Sequence, residues 1–134
     1  MRLIEFTVQG NHLHLVVEAD TSAALSRGMQ GLAIRIARAL NSMMVRRGRV
    51  FADHYHARLL HTPTQLARAL AYVLGNDAHH FGGRGVDPFA SAALALPLRV
   101  RTLEAPETWL VRAGWRRAKA APEAPHGSFG APAG

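Results

Sequence analysis

Two strand-like runs, Leu3-Ile4-Glu5-Phe6-Thr7-Val8 and His12 to Ala19, flank Gly10-Asn11, a dipeptide suited to a tight turn. So short a connection leaves an antiparallel hairpin as the natural arrangement. Successive side chains of a strand point to opposite faces. His12 and His14 therefore share one face, while Leu13, Leu15 and Val17 line the other.

Helical signals follow. Asp20, Thr21 or Ser22 can cap a helix that runs to about Arg47, with Gly48 as its stop. Leu25, Met29, Leu32, Ile36, Leu40 and Met43 form its apolar stripe, which predicts a core-facing side. Arg27, Arg35, Arg38 and Arg46 lie on the opposite side, and no acidic residue interrupts the stretch between Asp20 and Asp53. A face that only confers solubility usually mixes both signs at i,i+4 spacing, so uniform charge points to a DNA backbone. Residues 50–60 read as a further strand. Thr62 then caps a second helix with Pro63 in its first position, continuing to about His79. Leu66, Leu70, Val73 and Leu74 make its buried stripe; Gln65, Arg68, Tyr72, Asn76 and His79 share the other side. Residues 86–103 look loop-like, 106–117 like a short basic helix carrying Trp109 and Trp115, and the tail from Ala120 onward like disordered chain. At least one tryptophan is expected to dock on the core, base stacking being the lesser reading of the pair.

The balance of 16 Lys+Arg against 9 Asp+Glu gives a net charge of +7, and all but one of these cations are arginine. Such a surplus on a chain of 134 residues suits a polyanionic partner, and the planar guanidinium fits phosphate. The absence of cysteine removes disulfides, thiolate metal sites and a cysteine nucleophile, and fits a reducing cytoplasm. No run reaches the length of a membrane span, and no signal peptide is evident.

Tyr72 and Asn76 are surface neighbours on their helix, one turn apart. Two imidazoles, an amide and a phenol are the parts of a metal-assisted attack on a phosphodiester, the first three as neutral ligands and the last as nucleophile. Tyr55, between His54 and His56, is the alternative nucleophile. A metal hydrolase using His12, His14 and Asp53 is a third arrangement. Glu18, on the histidine face, either joins the metal shell or meets solvent, with solvent preferred.

The run Gln9-Gly10-Asn11-His12-Leu13-His14-Leu15-Val16-Val17-Glu18 resembles the histidine–hydrophobic–histidine (HUH) segment of single-strand DNA transposases that use one catalytic tyrosine. The match is to the REP-associated tyrosine transposases, relatives of bacterial insertion-sequence enzymes. Val50 to Arg58 resembles the strand before the catalytic helix, and Tyr72-Val73-Leu74-Gly75-Asn76 that helix's Tyr-x-x-x-Asn element. Gly85-Val86-Asp87-Pro88-Phe89 and Thr108-Trp109-Leu110 are similar too.

The resemblance spans about residues 3–117. It implies an α+β, ferredoxin-like antiparallel sheet with helices and with the histidines on a central strand. It implies that His12, His14 and Asn76 hold Mg²⁺ or Mn²⁺, that Tyr72 forms a 5′-phosphotyrosine, and that the partners are single-stranded DNA hairpins. Arg27, Arg35, Arg38, Arg46 and Arg68 would hold the DNA.

Against the family pattern, the first strand and helix are missing before Met1. A late start codon, a gene remnant, or a partner chain filling the gap, as in a homodimer, would each account for that. The expected organisation is a catalytic domain over 1–82, an extension over 83–117 and a tail over 118–134. The alternative function is a catalytically inactive nucleic-acid-binding remnant.

Overall fold

Both expected strands of the hairpin form. In the computed structural model, which describes residues 1–80 and 89–118 (for 75–80 the helical backbone alone), β1 (Arg2–Gln9) pairs antiparallel with β2 (His12–Glu18). The chain reverses at Gly10, whose φ of +41° lies in the left-handed region that glycine enters without a Cβ penalty. Gln9 faces His12, Thr7 faces His14 and Phe6 faces Leu15; a bulge at Ile4 then brings Glu5 opposite Val16. The described residues form a mixed α/β fold of one two-stranded antiparallel sheet and several helices.

A hairpin alone is marginal in water and needs a packed face. Helix α2 (Pro63–His80) supplies it: Leu66 and Val73 pack with Ile4 and Val16 as a buried cluster, bordered by Leu60, Leu70, Tyr72, Leu110 and Val111. The start of α2 is held by a reciprocal cap. Thr62 Oγ1 accepts from Gln65 N–H at 3.2 Å, and Gln65 Oε1 accepts from the N–H groups of Thr62 at 3.2 Å and His61 at 2.8 Å.

Helix α1 (Ser22–Met43) departs from the sequence reading twice. Thr21 caps it as expected, accepting from Ala24 N–H at 3.0 Å, yet none of its residues is fully buried. A sheet of two strands offers one well-covered face, and α2 occupies it, so the apolar stripe of α1 stays half-buried from Leu25 to Leu40 and Met43 is exposed. Met1 packs against α1 at Gly28, where a Cβ would lie 2.5 Å from the Met1 Cβ. The helix also stops before Arg47. Arg46 N–H returns to the Asn41 carbonyl at 2.9 Å and Val45 N–H to the Ser42 carbonyl at 3.3 Å, with Val45 at φ 50°. This is the closure usually built with glycine, here carrying a β-branched residue. Arg46 consequently lies beyond the helix, and Gly48, at φ 102°, serves the following turn.

The expected strand over 50–60 does not form. Its middle, from Ala52 to Leu59, is exposed, so it lacks an alternating apolar face to lay on a sheet. The segment expected to be loop instead holds α3 (Leu96–Thr102), with Pro97 in its first turn. The expected basic helix over 106–117 is reduced to α4 (Trp109–Arg112) and a 3₁₀ turn at Gly114–Arg117. Leu110 and Val111 meet the core; Trp109 is 57% exposed, and Trp115, 39% exposed, sits on the 3₁₀ turn that packs against α2. Residues 81–88, which include Gly85-Val86-Asp87-Pro88, and the tail from Ala120 lie outside the described residues.

Two polar ties bind this later chain to the hairpin. At the first, Val8 N–H donates to the Phe89 carbonyl at 3.0 Å and Thr7 bridges Ala90. Fully buried Ser91 accepts from Phe6 N–H at 3.0 Å and donates to Glu5, which also pairs with Arg99. Strand β1 therefore has neighbours on both sides. Among the described residues β2 pairs with β1 alone, so within them the strand that carries the histidines has one partner.

The second tie is Glu18, which is buried rather than solvent-facing. It accepts from Glu107 N–H at 2.8 Å, from Thr108 N–H at 3.1 Å and from the Thr108 hydroxyl. Arg2 reaches Glu18 at 3.1 Å, Asp20 at 3.0 Å and Glu107 at 3.2 Å. Burial alone would raise the Glu18 carboxyl, but the donors from Glu107, Thr108 and Arg2 outweigh it and hold the group below its ordinary value.

Two outcomes follow from these contacts. Val45→Gly should stabilise the protein by about 1 kcal/mol, since the left-handed conformation costs an L-residue about that much; thermal melting should show a rise of a few degrees. The Glu18 contribution is complete above the ordinary carboxyl value of 4.5 and is lost as pH falls below it towards the depressed folded value. Glu18→Gln should therefore cost about 2–3 kcal/mol at neutral pH and flatten the acid limb of a denaturant-midpoint profile between about pH 5 and pH 2.

Candidate active site

Strand alternation and helix periodicity meet at His14. His12, His14 and Val16 share the hairpin face that packs under α2, and Tyr72 borders the same cluster from the helix side. The Tyr72 and His14 rings lie edge to face, with centroids 5.1 Å apart and planes at 89°. The His12 and His14 rings stand nearly parallel at 7°, with centroids 6.2 Å apart. Thr7, fully buried, stands opposite His14 in the ladder and so on the same face of the hairpin.

The donor set decides which metal suits it. Imidazole is a borderline donor that favours transition-metal ions and an amide oxygen is a hard one, so of the two ions expected, two imidazoles and an amide would suit Mn²⁺ better than Mg²⁺. Imidazole nitrogens bind at about 2.0–2.2 Å, so parallel rings must tilt towards each other to share one ion. His12 is exposed and has room to do so; His14 is half-buried and held against Tyr72. The backbone of Asn76 lies one turn beyond Tyr72 on α2, and its side chain lies outside the described residues, as do those of His79 and His80.

Arg68 precedes Tyr72 by one turn on α2. Its Nε is buried without a hydrogen-bond acceptor among the described residues. An unmatched buried donor costs about 1–3 kcal/mol. Arg27, Arg35 and Arg38 are exposed along α1, and exposed Arg46 donates to the Arg49 carbonyl at 3.3 Å in the turn beyond.

The rival arrangements fare differently. Tyr55 is directed at α1, where its hydroxyl and the Ser26 hydroxyl share a hydrogen bond of 3.2 Å. Asp53 is exposed, and among the described residues no three His, Cys, Asp or Glu side chains are grouped to hold a metal ion. Glu18 is committed to Arg2, Glu107 and Thr108, which leaves it no role as a fourth ligand.

Comparison with protein-family models, with curated proteins and with solved structures returns no match. The site therefore stands on its own residues. Among the described helices none is long and apolar enough to cross a membrane.

Sequence reasoning missed the Glu5–Ser91–Arg99 cluster that secures the strand behind the site. Its partners are separated by 86 and 94 positions, and each residue is locally unremarked. The binding expectation is direct: titrating Mn²⁺ should broaden the imidazole resonances of His12 and His14 before those of His54, His56 and His61, and His14→Ala should remove that preference.

Proposed function

We propose that the protein cleaves and rejoins single-stranded DNA by metal-assisted attack of Tyr72, acting on repeat hairpins as the REP-associated tyrosine transposases do. The observation that carries this reading is the edge contact of Tyr72 with His14, 5.1 Å between ring centroids. It joins a strand motif to a helix motif far apart along the chain. The contact is made within one chain, which supports a site assembled in a single subunit rather than across a homodimer. A ferredoxin-like arrangement belongs to the same reading, with α2 laid across the histidine face of the hairpin.

Mg²⁺ or Mn²⁺, when held by His12, His14 and Asn76, would polarise the scissile phosphate and offset charge developing in the transition state. Tyr72 supplies the nucleophile. Its phenolic oxygen forms a bond to phosphorus as the bond from phosphorus to the 3′ oxygen breaks. The phenolic proton passes to solvent and the departing 3′ oxygen takes one up, leaving a 5′-phosphotyrosine and a free 3′-hydroxyl. Attack of a 3′-hydroxyl on that phosphotyrosine reverses the step, so strand transfer requires no nucleotide cofactor. Arg68 donates to a phosphate oxygen beside Tyr72. Arg27, Arg35, Arg38 and Arg46 hold the backbone of the hairpin, so affinity falls as salt rises.

Incubation of the full chain with hairpin DNA and Mn²⁺ should give a covalent protein–DNA adduct on a denaturing gel. Tyr72→Phe should abolish the adduct and Tyr55→Phe should leave it unchanged. DNA retention by the unaltered protein with no adduct would replace this reading with that of an inactive nucleic-acid binder. Turnover that survives Tyr72→Phe would point to hydrolysis by a different nucleophile.

A further inference from the structure

Helix α4 turns Leu110 and Val111 into the core that Tyr72 borders, and turns Trp109 outwards. An indole that is 57% exposed leaves a large apolar surface in water, where side chains of this size are normally covered. One side of the ring is backed by the chain itself. At Gly114 a Cβ would fall 2.7 Å from the Trp109 ring, so the absence of a side chain there lets the indole lie down on the backbone. A shallow hollow of about 320 Å³ opens beside it, bordered by Trp109, Arg112 and Ala113. That volume is at the lower end of small-ligand sites.

The charged residue that borders the hollow is Arg112. The Arg117 guanidinium lies 5.8 Å from the centre of the Trp109 ring, and Arg116 lies 5.5 Å from that of Trp115. Arg112, Arg116 and Arg117 are all exposed. Flat aromatic faces interleaved with guanidinium groups are the means by which proteins hold unpaired nucleotides: the ring stacks on a base and the cations meet the flanking phosphates. Arg117 lies over the indole and is exposed, so a base that stacks there displaces its guanidinium, which is then free to meet a phosphate.

We infer that Trp109 is a stacking platform for one unpaired base of single-stranded DNA, with Arg112 and Arg117 on its phosphates. The site would hold strand that continues past the hairpin, adjoining the core beside Tyr72. This rests on the DNA-binding part of the function proposed above and requires no cleavage.

The test uses the full chain in EDTA, where strand cleavage cannot contribute. In Trp115→Phe the one remaining tryptophan is Trp109, since the chain has 2 tryptophans. A thymidine oligonucleotide of about ten residues, within the usual range of single-strand sites, should quench its emission. Trp109→Ala should weaken binding of that oligonucleotide by about 5- to 150-fold, and Trp109→Phe by much less. An abasic oligonucleotide of the same length keeps the phosphates and loses the bases. It should bind the unaltered protein more weakly by a similar factor, and Trp109→Ala should not weaken it further.

Equal affinity for the thymidine and abasic strands would overturn the inference with no variant involved, so misfolding of Trp109→Ala cannot obscure the result. A blue shift with vesicles of anionic lipid, and none of the quenching with DNA, would also overturn it and mark the surface as membrane-facing. Loss of the Tyr72 adduct would not alter these readouts, and their failure would not alter the adduct.

Discussion

The carboxylate of Glu18 is the contact on which the arrangement turns. It ends β2, the strand that carries both histidines, and accepts from Glu107, Thr108 and Arg2 at once. A buried charge is tolerable only when donors replace the water it has lost, and here they come from both ends of the described chain. Removing any one of them would weaken that compensation and leave the charge to the remaining donors. The tie thus keeps Leu110 and Val111 on the core and, through them, the side of the cluster that Tyr72 borders.

Signals that act within a few residues were legible in the sequence. The hairpin follows from Gly10 and from alternation, the start of α1 from Thr21, and α2 from Thr62, Pro63 and the spacing of Leu66, Leu70 and Val73. Segments shaped by remote partners were not. Residues 89–102 are organised by Ser91 and Arg99 reaching back to β1, and nothing near them in sequence announces Glu5 as the acceptor. Residues 50–60 carry Val50, Phe51 and Tyr55 in a strand-like order, yet no sheet edge receives them, and Tyr55 turns to Ser26 instead. The end of α1 was misplaced because Val45 occupies a backbone conformation that sequence reasoning assigns to glycine.

The candidate site was legible for a related reason. Two simple periods, that of a strand and that of a helix, place His12 and His14 on one side and Tyr72 one turn from Asn76 without any reference to the rest of the chain. That the two halves meet depends on α2 packing over the histidine face, which its buried leucines dictate. Glu18 was misread because its alternation with His14 looked like part of the same polar face. The donors that claim it arrive from some 90 positions away.

Helix α1 has a consequence of its own. It is a straight cationic rod lying outside the buried cluster, and a rod of fixed rise measures whatever lies along it. From Arg27 to Arg38 the axial separation is about 17 Å at 1.5 Å per residue, close to five phosphate-to-phosphate steps of one strand at about 3.4 Å each. On the proposed reading, a stem shorter than about five base pairs would engage one end of this ruler and leave the other over open solvent. The spacing of the arginines would then set the minimum length of duplex that such a rod could follow.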